Sequence, residues 1–264
     1  MSPPRCLSIA ASDSGGGAGI QADLKAFAAA GCHGMTAIVG ITAQNTAAVL
    51  AVHQLPASII TAQLEAVQSD IGIDAAKTGA LLSAEVVNAV ADFLAQHPTT
   101  LVVDPVLRSS TGAELLDPDG LDALVARLLP LAVVVTPNLA EARALAGGDG
   151  DRHELAERIV ARGAGAVIIT GGAEASTDLL FDGAGYTEIE VERSRGRATH
   201  GTGCTHSATL TAELAWGTPL VDAARRAAQV TAAAIDRGLA GIGTGAGPVA
   251  VGQASDAIQR VRTR

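Results

Sequence analysis

Six short runs rich in Val and Ile recur along the chain, each closed by a polar or Gly/Pro cluster and separated by longer segments of helical period. They are CLSIAA (6–11), TAIVGI (36–41), DAAKTG (74–79), LVVDP (101–105), AVVVTP (132–137) and AVIITGG (166–172). Short apolar runs bounded in this way read as strands buried on both faces, and their alternation with helices selects an α/β chain with a largely parallel sheet covered on both sides. Ile20, Leu24 and Phe27, then Val86, Val90 and Leu94, then Leu155, Ile159 and Val160 fall at the spacing of crossover helices. Segment 176–191 has two extended runs around Asp182-Gly183-Ala184-Gly185, which predicts an antiparallel hairpin on one edge and therefore a mixed sheet. Residues 201–216 and 220–238 are expected to be two closing helices. No linker, repeat or low-complexity tract precedes the Gly-rich 238–247 stretch, so residues 1–264 are expected to form a single domain.

Charge and composition narrow the partners. Eighteen Lys and Arg against 27 Asp and Glu give a net charge of −9, which works against a nucleic-acid backbone or an anionic membrane face. Aromatic residues make up only 2% of the chain, too few for base-stacking platforms or a membrane aromatic belt. Neither nucleic acid nor membrane is expected as a partner, and the core must be aliphatic. Cys6, Cys32 and Cys204 form an odd, widely spaced set without C-x-x-C, which points to a reducing compartment rather than a disulfide framework. The N-terminal apolar run is too short for a secretory signal, and Leu128 to Val135 carries Pro130 and is far too short to span a bilayer. A cytoplasmic protein is expected.

The strongest chemical signal is HGTGCTHSATLTAELAW, where Gly201, Thr202 and Gly203 precede a helix. Glycines at a helix start let backbone N–H groups converge on an anion, and the helix end adds roughly half a positive charge. The same field is expected to lower the pKa of Cys204, making it a candidate acid, base or nucleophile, against the blander possibility of a small buried Cys beside a loop. His200 and Cys204 lack a second cluster to complete a metal site, and His206 reads as packing or solvent-facing. The earlier loop, SDSGGGAGIQADLKAF, fits neither G-x-G-x-x-G nor a Walker A frame. Asp13 there can cap or turn the loop, and Asp23 can be a solvated first-turn acid. TPNLAEARAL places Asn138 and Glu141 as a capping box. Equally, Glu141 and Asp104, both just past strand ends, could hold Mg²⁺ through water at the crevice where open α/β sheets bind ligands.

Taken in order, SDSGGGAGIQADLKAF, TAQNT, AKTGAL, VVDPV, TPNLAEA and HGTGCT resemble the hydroxymethylpyrimidine and phosphomethylpyrimidine kinases of thiamine biosynthesis, within the ribokinase superfamily. The resemblance spans roughly residues 6–240. It implies one three-layer α/β/α domain without a separate lid, a homodimer, and use of ATP with Mg²⁺ to phosphorylate a pyrimidine alcohol, its monophosphate, or both. By this resemblance Asp23 and Gln44 bind the aminopyrimidine edge, with Ala80 and Val106 against the ring. Gly201, Thr202 and Gly203 form the anion hole, and Cys204 takes the catalytic position, accepting the proton of the substrate hydroxyl. Asp104 and Glu141 fall in the magnesium neighbourhood, while Asn138, Thr170, Gly171 and Gly172 lie on the nucleotide side.

Three departures from the family pattern stand out. Thr170-Gly171-Gly172 replaces Lys-Gly-Gly, removing a cation for which Arg108 is one candidate substitute; Leu107-Arg108-Ser109 replaces Met-Val-Ala; and Ala80 stands where many members place Met. A roomier, more polar pocket keeps a B6 vitamer open as the acceptor. From a different class, Cys204 activated by His200 could act as an acyl-transfer nucleophile.

Overall fold

A computed structural model describes residues 2–171, 177–191, 194 and 196–253. Six strands run parallel: β1 (Arg5–Asp13), β2 (His33–Gln44), β4 (Ala75–Thr78), β5 (Thr100–Val103), β6 (Val134–Val135) and β7 (Val167–Ile169). With β3 (Val49–Gln54), β8 (Thr177–Phe181) and β9 (Tyr186–Glu190) they make one nine-stranded sheet in the order β3-β2-β1-β4-β5-β6-β7-β8-β9. β3 lies antiparallel on β2 at one edge, and β8 and β9 form the expected hairpin at the other. The side chain of Asp182 closes that hairpin by accepting from the amides of Ala184 and Gly185.

The strand alternation sorts the core into two helical layers. Leu7, Ile9, Val103, Val135 and Ile169 pack with α2 (Ala57–Asp70), α3 (Ala84–Gln96), α5 (Leu139–Ala146) and α6 (Arg152–Ala161). The residues between them, Cys6, Val102, Val134 and Ile168, face α1 (Gly19–Ala29), α7 (Thr202–Ala215) and α8 (Leu220–Asp236). The result is a three-layer α/β/α fold with a mixed, mostly parallel sheet. The core is almost wholly aliphatic, with Phe27 and Phe93 its buried aromatic rings.

Two elements and one irregular helix lie outside the sequence reading. β3 is exposed along its length, so neither alternation nor a buried run marks it. α2 buries only Ile60 and Leu64, too narrow a stripe to register as periodic. The helix that begins as α4 (Pro118–Ala123) widens by one turn over Leu124–Leu128 and closes over Leu129–Leu131, where Pro130 denies the next amide.

The parallel strands all end on one side, and β1 separates the outward path to β2 from the path through β4. Such a switch in strand order opens a crevice at the carboxyl ends. Asp13, Gly79 and Ala80, Asp104, Thr136 and Asn138, and Thr170 each follow or close a strand at that crevice.

Candidate active site

The crevice is a cavity of about 640 Å³, within the usual range for a small-molecule site. Two glycine-rich segments build one wall. The backbone at Gly201 has φ +86, and a Cβ there would strike the Gly17 carbonyl oxygen, so glycine alone allows the two loops to meet. Gly201 caps α7 without any side-chain acceptor; the Thr202 amide donates to the Thr199 carbonyl, and the amides of Gly203 and Cys204 at this uncapped end suit an anion. A Cβ at Gly203, by contrast, would meet nothing within 4 Å and would project into open space at the helix end.

Asp13 organises the facing loop. Its carboxylate accepts from the amides of Gly15, Gly17 and Ala18 and from His200 Nε2 at 2.9 Å. Burial opposes its ionisation, yet His200 and the amides of Ala18 and Gly15 hold it below the ordinary carboxylate range. The other ring nitrogen of His200 bonds Ser110 Oγ at 2.9 Å. Ser110 belongs to a short turn in which Arg108 pairs with Glu114 and Ser109 Oγ accepts from the Ala113 amide, so His200 ties this turn to the glycine-rich loop at the cavity.

Beneath the cavity lies a buried charge cluster. Lys77 Nζ sits 3.0 Å from Asp23 Oδ1 and 3.5 Å from Asp104 Oδ2, with no exposed surface. Burial alone would strip its proton, but Asp23 and its other neighbours outweigh that and raise its proton affinity. Asp23 also accepts from Ser8 Oγ, and Asp104 from Ser207 Oγ on α7. The Cys204 thiol borders the same cavity; burial, reinforced by Asp23 and Asp104, pushes it up to about 12 despite Lys77 and the Gly19 amide. Across from it, Glu141 is pushed up to about 8 by burial and by Asp104.

The cavity brings together Gln44, Ala80, Val106, Asp104, Asn138, Glu141, Thr170, Gly201, Thr202, Gly203 and Cys204. Asp23 departs from the expectation: it is neither solvated nor on the cavity wall, but supports Lys77 from behind. Gly171 donates its amide to Asp178 rather than lining the wall, and Gly172 lies outside the described residues. Asn138 and Glu141 form the reciprocal capping box, and Glu141 and Asp104 both border the cavity.

Two further expectations are corrected. Cys204 is not acidified by the helix end, because desolvation and two carboxylates outweigh that field. His200 cannot activate it, since both ring nitrogens are engaged elsewhere; this removes the basis for an acyl-transfer nucleophile. Arg108 borders the cavity and pairs with Glu114 at its exposed rim. His206 follows the packing alternative and not the solvent-facing one: it is buried, borders the cavity, and both ring nitrogens lack a hydrogen-bond partner. Sequence reasoning also passed over Lys77, although a lysine in the middle of an apolar strand is itself a signal, since such a residue is almost never fully buried unless paired.

A bare helix end, a buried lysine held between two aspartates and a crevice at the carboxyl ends of a parallel sheet are the features of a small-molecule kinase of ribokinase-like architecture. The family model for phosphomethylpyrimidine kinase matches residues 13–250, and the chain belongs to that family. It is 48% identical to the hydroxymethylpyrimidine/phosphomethylpyrimidine kinase of Rhizobium meliloti, over 92% of this chain and 95% of the relative. Among solved structures, pyridoxal kinase from Staphylococcus aureus in complex with AMP-PCP and pyridoxal superposes with a TM-score of 0.84 at 34% identity, covering 95% of this chain and 94% of the other. Phosphomethylpyrimidine kinase from Clostridium difficile gives 0.77 at 36% identity, covering 86% and 96%. Among the described residues, no helix is long and apolar enough to cross a membrane.

Proposed function

We propose that residues 1–264 act as a single kinase domain that transfers the terminal phosphoryl group of ATP to 4-amino-5-hydroxymethyl-2-methylpyrimidine, to its monophosphate, or to both, in thiamine biosynthesis. The observation that carries this reading is the bare, glycine-capped end of α7 opening onto a single cavity. Gln44, Ala80 and Val106 border that cavity on the acceptor side, and Asn138 and Thr170 on the nucleotide side.

On the acceptor side, Thr42 Oγ1 lies 3.0 Å from the Ser12 carbonyl oxygen and 3.1 Å from the Gln44 side-chain amide, which holds that amide at the cavity wall to meet the polar edge of the pyrimidine. Ala80 leaves space beside the ring. Cys204 lies next to the hydroxymethyl position as a neutral thiol, so in the resting protein it positions the acceptor oxygen rather than acting as a ready base. The hydroxyl proton leaves late, as phosphorus–oxygen bonding develops and the bond to the ADP leaving group breaks, passing to a phosphate oxygen and then to solvent. The rate comes from alignment and from the first-turn amides of α7 facing the migrating phosphoryl.

Asp104 and Glu141 fit a divalent cation. They are two carboxylates on one cavity whose repulsion, added to burial, raises Glu141; Mg²⁺ commonly takes only one or two protein carboxylates, with phosphate oxygens and water completing its shell. Bound there, Mg²⁺ would neutralise charge on the nucleotide phosphates. Gly171 and Gly172 follow Thr170 on the same side.

A second acceptor is supported by the space at Ala80 and by the pyridoxal kinase neighbour: a B6 vitamer. We also read the protein as a cytoplasmic homodimer. Its three cysteines are free thiols, in keeping with a reducing compartment, and β3 exposes Leu50 at 72% and Val52 at 44% beside Ile41 and Ile59, an apolar edge suited to a second copy. Turnover with Mg-ATP and the pyrimidine alcohol, its phosphate and pyridoxal, singly and in competition, decides the acceptor. Phosphorylation of a pyrimidine is expected, and no transfer to either pyrimidine by folded protein would overturn the proposal.

A further inference from the structure

The two pyrimidine acceptors differ in charge at the group that attacks. The alcohol is neutral there, whereas its monophosphate carries about −1.5 to −2 near pH 7. Transfer to the monophosphate sets two anionic groups side by side in a cavity that Asp13, Asp104 and Glu141 already border. That step calls for positive charge at the acceptor itself, and transfer to the alcohol does not.

Among the described residues, Lys77, Arg108, His200 and His206 are the cation-capable side chains that border the cavity. Three of them are committed or closed off. Lys77 has no exposed surface and is held between Asp23 and Asp104. His200 meets Asp13 with one ring nitrogen and Ser110 with the other, and both ring nitrogens of His206 are closed to solvent. Arg108 is different: its side chain is 66% exposed, and its partner Glu114, 3.0 Å away, is 73% exposed. An exposed pair of this kind is weakly held, so exchanging Glu114 for a phosphate costs little. The guanidinium also presents paired N–H donors that match phosphate oxygens.

The turn that carries Arg108 is fixed beside the site. The Ser109 amide donates to the Ala113 carbonyl and the Leu115 amide to the Leu107 carbonyl, while the Leu115 carbonyl accepts from the Leu82 amide. Ser110 Oγ lies 2.9 Å from His200 Nδ1, and His200 stands next to Gly201 in the chain. Arg108 therefore sits two residues beyond Val106 on the acceptor side and two before the residue tied to the helix end that faces the transferred phosphoryl.

We propose that Arg108 is a specificity-determining residue that binds the phosphate of a phosphorylated acceptor, giving up Glu114 to do so. An oxygen of that phosphate, already without its proton, attacks the terminal phosphorus of ATP; the bond to ADP breaks, and the acceptor leaves as its pyrophosphate. No hydroxyl proton has to move in this step. This rests on the kinase reading above and deepens it.

Calorimetric binding of the pyrimidine alcohol and of its monophosphate without nucleotide, together with turnover of each with Mg-ATP, tests the proposal. In Arg108→Ala, affinity and kcat/KM for the monophosphate are expected to fall about tenfold, and those for the alcohol to change by less than about twofold. Glu114→Ala breaks the same surface pair but keeps the guanidinium, so it is expected to retain the monophosphate reaction. Both positions are exposed, and a melting curve checks that each variant is folded. An Arg108→Ala protein with no loss or with equal losses for the two acceptors overturns this inference and leaves the kinase reading standing. So does the same monophosphate-specific loss in Glu114→Ala, or wild-type protein that phosphorylates the alcohol but not the monophosphate. No transfer to either pyrimidine by folded wild-type protein overturns both.

Discussion

Gly201 and Gly203 stand two residues apart at one helix end, and the structure gives them different reasons for being glycine. Gly201 must adopt a left-handed conformation against the Gly17 carbonyl, whereas a Cβ at Gly203 would touch no protein atom. Gly203→Ala is therefore expected to leave thermal stability unchanged or to raise it by up to about 1 kcal/mol, since Ala is the better helix former. Phosphoryl transfer should nonetheless fall about a hundredfold, because the methyl group fills the space before the amides. A melting curve and a turnover assay on one preparation check both halves. Cys204 yields a second expectation. Only the thiolate is alkylated, and a pKa raised to about 12 keeps the thiolate fraction rising throughout the accessible range. The iodoacetamide rate at Cys204 should climb about tenfold per pH unit from 7 to 10 without levelling. A plateau near pH 8.5 would show an ordinary thiol and contradict the desolvated environment. The sequence named these residues but assigned Cys204 the wrong direction, because the helix end was visible along the chain while Asp23 and Asp104, 181 and 100 positions away, were not.

Among the elements, β3 shows where one-dimensional reading runs out. Val49, Leu50, Ala51 and Val52 form an apolar run, but their side chains stay largely exposed and one backbone edge of β3 is unpaired within the sheet. Burial within the chain is what makes a strand periodic in sequence, and an edge that completes its burial elsewhere lacks that signature. If the proposed homodimer forms through this edge, the protein sediments at twice the 26.3 kDa chain mass and replacing Leu50 and Val52 by Lys should halve it in analytical ultracentrifugation; an unchanged mass would place any second copy elsewhere. The inner strands and the closing helices were legible because each buries a full face, and the hairpin of β8 and β9 because its turn residues act locally through Asp182.

At the scale of the whole molecule, the polar floor ties α1, β4, β5 and α7 together through Asp23, Lys77, Asp104 and Ser207. Removing one partner of a buried ion pair leaves the other uncompensated, typically at a cost of about 3–5 kcal/mol. Lys77→Met should approach that loss in urea denaturation, and Lys77→Met with Asp23→Asn should recover much of it, since the double change removes both charges. Recovery of stability without recovery of turnover would show that the cluster serves the site more than the fold. The alternation of apolar runs and helical segments determined the layers, the direction of the inner strands and the end of the sheet where chemistry occurs, because those follow from local periodicity and chain connectivity. Which carboxylate supports and which one faces the cavity, which histidine is engaged and which is left unpaired, and how firmly a thiol keeps its proton were decided only when distant segments met. Desolvation and charge coupling depend on neighbours in space, and a linear sequence does not carry those distances.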